Sequence, residues 1–171
     1  MTGTLHEWAV LHGSDKGKAH QYCSFYEERI GNPKTILEFG VLKGSSLKMW
    51  RDRYPAALVA GMDISEVGII PGVFIIRNNC TKPQPLGCWD LIIDDAGHFT
   101  ADQIIAFELW WPAINPGGHY IIEDIHTMHY EYYNPDKIDF KKWVELLGIK
   151  HEYFTRVPGD EKDSMTVIFY K

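Results

Sequence analysis

Leu91-Ile92-Ile93-Asp94-Asp95-Ala96-Gly97-His98 decides how this chain folds, and Tyr120-Ile121-Ile122-Glu123-Asp124-Ile125-His126 repeats its form. In each stretch a short apolar run ends in two adjacent carboxylates, with a histidine soon after. Continuous apolar runs of this length suit strands buried on both faces, so both acidic pairs are expected where a parallel sheet ends. Ligands of open α/β sheets bind outside that carboxyl edge.

Outward from these runs, strand-like and helical segments alternate from Thr35 onward. Thr35–Phe39 reads as the first strand, Gly40–Gly44 as a turn, and Ser45 or Ser46 as the cap of a helix that Pro55 stops. Ala57–Met62 and Val73–Arg77 are the next strands, and Ala101–Trp111 has helical spacing. Asn115-Pro116-Gly117-Gly118 is a turn signal, and Lys137–Leu147 an amphipathic helix. Glu152–Val157 and Met165–Tyr170, around Pro158-Gly159-Asp160, read as a hairpin. The expected fold is therefore a Rossmann-like, doubly wound, mostly parallel α/β sheet finished by a C-terminal antiparallel hairpin. Residues 1–171 read as one domain, with 1–34 a cover segment, helical around Ser24–Ile30, and 35–171 the core.

A net charge of −6 without a Lys/Arg run argues against nucleic acid or an anionic membrane as partner and favours a small neutral or cationic ligand. No apolar stretch reaches the ~20 residues of a membrane span, and no signal peptide opens the chain, so a cytoplasmic protein is expected. Cys23, Cys80 and Cys88 lack a paired metal-ligand spacing and read as reduced packing residues.

The turn Glu38-Phe39-Gly40-Val41-Leu42-Lys43-Gly44 admits a ligand close to the backbone at a helix N-terminus, or simply packs helix on strand. It is a poor dinucleotide fingerprint, because Leu42 stands where the second glycine would be. Asp63, ending the second strand, can accept both hydroxyls of a ribose, and Asn79, ending the third, can bond an adenine edge. Either could instead serve only its own turn. If the two acid-ended strands are neighbours, Asp95, Glu123 and Asp124 converge and call for a cation. An all-oxygen set favours Mg²⁺, Mn²⁺ or Ca²⁺ over zinc; capping helices or pairing with lysines is the alternative. His98, on the loop of Asp95, is suited to removing a proton. His126 and His129 are weaker candidates, and His20 and Tyr22 weaker still.

These residues together resemble a metal-dependent class I S-adenosylmethionine methyltransferase, and more closely the macrolide-sugar O-methyltransferases of the macrocin and mycinamicin kind. The resemblance is carried by Gly13-Ser14-Asp15-Lys16-Gly17 with Tyr22 and Tyr26-Glu27, by Glu38-x-Gly40-x-x-x-Gly44-x-Ser46-Leu47 with Trp50, by Ile92-Ile93-Asp94-Asp95-x-x-His98, and by Gly117-Gly118-x-Tyr120-Ile121-Ile122-Glu123-Asp124-Ile125-His126. It implies S-adenosylmethionine held by Glu38, Gly40, Gly44, Ser46, Asp63, Asn79 and Asp94. It also implies Mg²⁺ on Asp95, Glu123 and Asp124, and His98 as general base. The acceptor so implied is a hydroxyl of a small molecule, a sugar or other vicinal diol. A metal-dependent hydrolase and a non-catalytic S-adenosylmethionine-binding module are the competing readings. The aromatic residues Trp8, Tyr130, Tyr132 and Tyr133 could wall the acceptor or join subunits of a homo-oligomer.

Overall fold

The computed structural model describes residues 3–82 and 87–171. Seven strands form one sheet: β1 (Thr35–Phe39), β2 (Leu58–Asp63), β3 (Phe74–Arg77), β4 (Trp89–Asp94), β5 (Ile114–Ile122), β6 (His151–Thr155) and β7 (Met165–Tyr170). Their order is β3-β2-β1-β4-β5-β7-β6. The first five run parallel, and β7 lies antiparallel between β5 and β6. This is the doubly wound sheet with a closing hairpin that the sequence predicts. The helices are α1 (Leu5–His12), α2 (Asp15–Lys18), α3 (Tyr22–Glu27), α4 (Ser45–Arg53), α5 (Thr100–Trp110) and α6 (Phe140–Leu146).

The apolar runs are continuous because successive side chains enter opposite layers. Ile36, Leu91, Ile93 and Ile121 pack with Leu5, Tyr22, Tyr26 and Trp50 on one face. Leu37, Ile92, Tyr120 and Ile122 pack with Phe107, Trp110, Phe140 and Phe169 on the other. Both layers exclude water, so each central strand is buried twice.

Three expectations about elements are corrected. Asn115–Gly118 is no turn between elements; it lies inside β5, where the pairing with β4 shifts register between Trp89 and Leu91. Gly117 has φ +81°, and a Cβ on Gly118 would stand 2.6 Å from the Asp90 carbonyl oxygen, so the glycines serve a bulge pressed against the neighbouring strand. The last helix begins at Phe140 rather than Lys137: Lys137 is left-handed at φ +51°, and the Asp139 side chain accepts from the Lys142 N–H as the cap. The cover segment holds more helix than expected. In α1 the Thr4 hydroxyl accepts from the Glu7 N–H and the Glu7 carboxylate accepts from the Thr4 N–H, a capping box. Only Leu5 and Ala9 of α1 are buried, too few to make an apolar stripe legible.

Among the described residues no helix is long and apolar enough to cross a membrane. Residues 83–86 of the β3–β4 connection lie outside the described residues.

Candidate active site

The carboxyl ends of β1, β2, β4 and β5 come level because the parallel ladder continues past the strands. The Gly40 N–H donates to the Met62 carbonyl at 2.9 Å, the Asp95 N–H to Phe39 at 3.0 Å, and the Glu123 N–H to Asp94 at 2.9 Å. Outside this edge lies a cleft of about 750 Å³, lined among others by Gly40, Ser46, Asp63, Asn79, Asp94, Asp95, His98 and Asp124.

At one end of the cleft the glycine turn is fixed by Asp63. Its Oδ2 accepts from the N–H groups of Val41 and Leu42, and its Oδ1 from that of Ser65. Burial alone would raise this carboxyl, but the three backbone donors hold it below the ordinary aspartate value. A carboxylate offers about four acceptor positions, so capacity for a ligand hydroxyl remains. Gly40 has φ +83°, and a Cβ there would lie 2.0 Å from the Asp95 carbonyl oxygen, so no other residue fits. Asn79 faces the same end, its Oδ1 accepting from the Thr81 N–H and hydroxyl. Asp94 is 2% exposed, and its Oδ2 has no partner among the described residues. Burial pushes its carboxyl up to about 7, against one weak bond from the Ala96 N–H.

Two residues expected at the cofactor lie behind the turn instead. Glu38 is fully buried, accepting from the Ser46 hydroxyl and the Trp50 indole N–H; Gly44 caps α4 at φ +71°. Neither lines the cleft.

At the other end, Asp95, His98 and Asp124 each offer a ligand atom, all within 4.8 Å of one another. His98 Nε2 is 3.8 Å from Asp124 Oδ2, with His20 Nδ1 and His126 Nδ1 at 3.6 and 4.0 Å from Asp124 Oδ1. The Tyr22 hydroxyl donates to Asp124 Oδ1 at 2.7 Å. Thr127 joins the two acid-bearing loops, its hydroxyl lying 2.9 Å from the carbonyls of both His98 and Asp124.

Glu123, expected as a third ligand, is directed elsewhere. It is 1% exposed, and it accepts from Lys16 Nζ at 2.7 Å and from the Tyr26 hydroxyl at 2.9 Å. Lys16, fully buried on α2, also donates to Asp95 Oδ2 at 2.6 Å and lies 3.6 Å from Glu38. Burial works against its ammonium, but Asp95, Glu123 and Glu38 outweigh that and hold its pKa well above the ordinary lysine value. Burial in turn raises all three carboxyls, with Lys16 opposing. One ammonium thus sits among three acids, a site short of positive charge.

Lys16 and Tyr26 have no partner legible in the sequence. Lys16 meets acids 79 and 107 positions away, and no local period reports such a pairing.

No family model matches the chain. It is 32% identical over 142 residues to 8-demethyl-8-alpha-L-rhamnosyl tetracenomycin-C 2'-O-methyltransferase of Streptomyces olivaceus, covering 71% of this chain and 38% of that protein. It is 30% identical over 134 residues to mycinamicin VI 2''-O-methyltransferase of Micromonospora griseorubida, covering 67% of this chain and 34% of that protein. Over this stretch the chain is similar to these sugar O-methyltransferases. It spans little more than a third of the length of the two. Among solved structures, MycE methyltransferase from the mycinamycin biosynthetic pathway, in complex with Mg, SAH and mycinamycin VI, superposes with a TM-score of 0.80 at 20% identity. That match takes in 99% of this chain and 54% of MycE, so the two share a fold over nearly all of this chain.

Proposed function

We propose that the chain transfers a methyl group from S-adenosylmethionine to a sugar hydroxyl, in the cytoplasm and with a divalent cation at the acidic end of the cleft. One observation carries the reading: a single cleft has a glycine turn and Asp63 at one end and the Asp95–His98–Asp124 cluster at the other. The relatives' names, which specify sugars of glycosylated natural products, support the acceptor class.

The residues fit both absent groups. Gly40 leaves the backbone open to close approach, Asp63 keeps capacity for a hydroxyl, and the orphaned Asp94 Oδ2 awaits a donor. Asp95 and Asp124 are hard oxygen donors, and the surplus of acids over Lys16 calls for a further positive charge. When bound, the cofactor supplies an electrophilic methyl group and the cation lowers the pKa of a coordinated hydroxyl. His98 accepts the acceptor hydroxyl's proton. Lys16 and Tyr22 fix the carboxylates of Asp95 and Asp124, while Thr127 holds the two loops together. Alignment of this kind is worth roughly 7–11 kcal/mol.

The proximity of His98 to Asp95 and Asp124 favours a second reading, in which the imidazole is a metal ligand and Mn²⁺ suits the site better than Mg²⁺. Calorimetry with S-adenosylmethionine, with Mg²⁺ or EDTA, tests the main proposal alongside mass spectrometry of rhamnosyl acceptors. Absence of cofactor binding in every condition would sink it. His98→Ala separates the two roles: a base leaves metal affinity intact while turnover falls by about 10²–10⁴-fold. A ligand loses both together.

A further inference from the structure

A buried lysine meets the acidic end of the cleft from behind. Lys16 Nζ lies 2.6 Å from Asp95 Oδ2 and 2.7 Å from Glu123 Oε2, with Glu38 Oε1 3.6 Å away, and its side chain is closed to water. An ammonium between two carboxylate oxygens at these distances does what a bridging cation does: it offsets their charge and fixes their directions. The lysine is built into its place. A Cβ on the neighbouring Gly17 would stand 3.0 Å from the Ala9 Cβ, so α2 lies tight against α1. The Lys16 carbonyl accepts from the Cys23 thiol, and the Asp15 carbonyl from the Ala19 and His20 N–H groups. Glu123 is held by both oxygens, because Tyr26 donates to Oε1 at 2.9 Å. Neither Lys16 nor Glu123 lines the cleft, whereas Asp95, His98 and Asp124 do.

We propose that Lys16 is an internal stand-in for a metal ion. It occupies the place between Asp95 and Glu123, withholds Glu123 from coordination, and so keeps a divalent cation weakly bound on the cleft side of Asp95. The inference rests on the proposed cation and adds what sets its affinity. Two effects act in the same direction. The ammonium touching Asp95 repels a divalent ion on that same carboxylate, and away from water this repulsion is poorly screened. The bonds from Lys16 and Tyr26 also engage one oxygen each of Glu123, turning a hard ligand away from the cleft. A weakly held ion exchanges with the medium, so occupancy of the site follows the free cation concentration. Lys16 acts through the two acids and is a positioning residue.

The test is Mn²⁺ binding to the whole chain, read from the free-ion electron paramagnetic resonance signal, for the wild type, Lys16→Met, Lys16→Gln and the double variant Lys16→Met/Glu123→Gln. Both neutral single variants are expected to bind Mn²⁺ at least about tenfold more tightly than wild type, since a repelling charge is gone and a carboxylate is freed. The double variant should return to within about threefold of wild type, because it has neither the lysine's charge nor the Glu123 carboxylate. A lysine with a merely structural role predicts the opposite, weaker binding once its removal disorders the acids. Unchanged or weaker binding in both single variants overturns the proposal, as does a double variant as tight as Lys16→Met. If a single variant unfolds in EDTA, circular dichroism with Mn²⁺ still decides: an ion that takes the lysine's place restores the fold, and a chain left unfolded in millimolar Mn²⁺ refutes the substitution. A wild type that binds no Mn²⁺ while the single variants do removes the cation from the proposed function and upholds the role of Lys16.

Discussion

Lys16 is the residue on which the acidic end of the cleft depends. Its ammonium, itself shut off from water, bridges Asp95 and Glu123 and approaches Glu38. Removing one member of a buried charged network leaves the others uncompensated. Lys16→Met should therefore cost about 3–5 kcal/mol at neutral pH, measured by urea denaturation. The deficit should shrink in acid, where the three carboxyls protonate and no longer need the lysine. A variant as stable as wild type at pH 7 would mean that the acids are neutral or compensated in some other way. Asp94 is the complementary case at this scale: its buried Oδ2 has no donor among the described residues.

At the scale of elements, the site is held from the far end of the same strands. Asp90, near the start of β4, accepts from the Lys34 and Thr35 N–H groups and from the Asn115 amide, tying β1, β4 and the β5 bulge together. Burial would raise its carboxyl, but the Asn115 amide and the two backbone donors outweigh it and hold the pKa below the ordinary value. A depressed carboxyl stabilises the fold above its unfolded pKa, and that contribution is lost as pH falls through the folded value. Asp90→Asn should lower stability by about 1–2 kcal/mol at pH 7. Its difference from wild type should narrow as pH falls below the ordinary aspartate value, as urea titrations at neutral pH and in acid would record. A constant difference across that range would refute the charge-dependent part. The bulge also explains why Asn115–Gly118 reads as a turn: glycine marks both a reversal and a close approach of backbones, and only pairing with β4 distinguishes them.

For the whole molecule, a ligand that binds only the folded state adds stability by mass action. S-adenosylhomocysteine at 100 times its dissociation constant should add ~2.7 kcal/mol, or a rise of about 5–10 °C in Tm for a chain of this length. Differential scanning fluorimetry reads this directly. No shift at millimolar ligand would exclude the cleft as its site.

The sequence by itself determined the parallel core, because strands buried on both faces carry continuous apolar runs, and Ile36-Leu37, Leu91-Ile92-Ile93 and Tyr120-Ile121-Ile122 show that without any partner in view. It also determined that acids crowd one edge, since Asp94-Asp95 and Glu123-Asp124 directly end those runs. Tertiary structure alone decided how the acids divide. Asp95 and Asp124 turn to the cleft beside His98, while Glu123 and Glu38 turn inward to Lys16 and the Tyr26, Ser46 and Trp50 donors. The side a carboxylate faces is set by which cation and which hydrogen-bond donors reach it. Here Lys16 and Tyr26 reach Glu123 from α2 and α3 of the helical cover segment, far away in sequence and without a periodic signal of their own, while Ser46 and Trp50 reach Glu38 from α4.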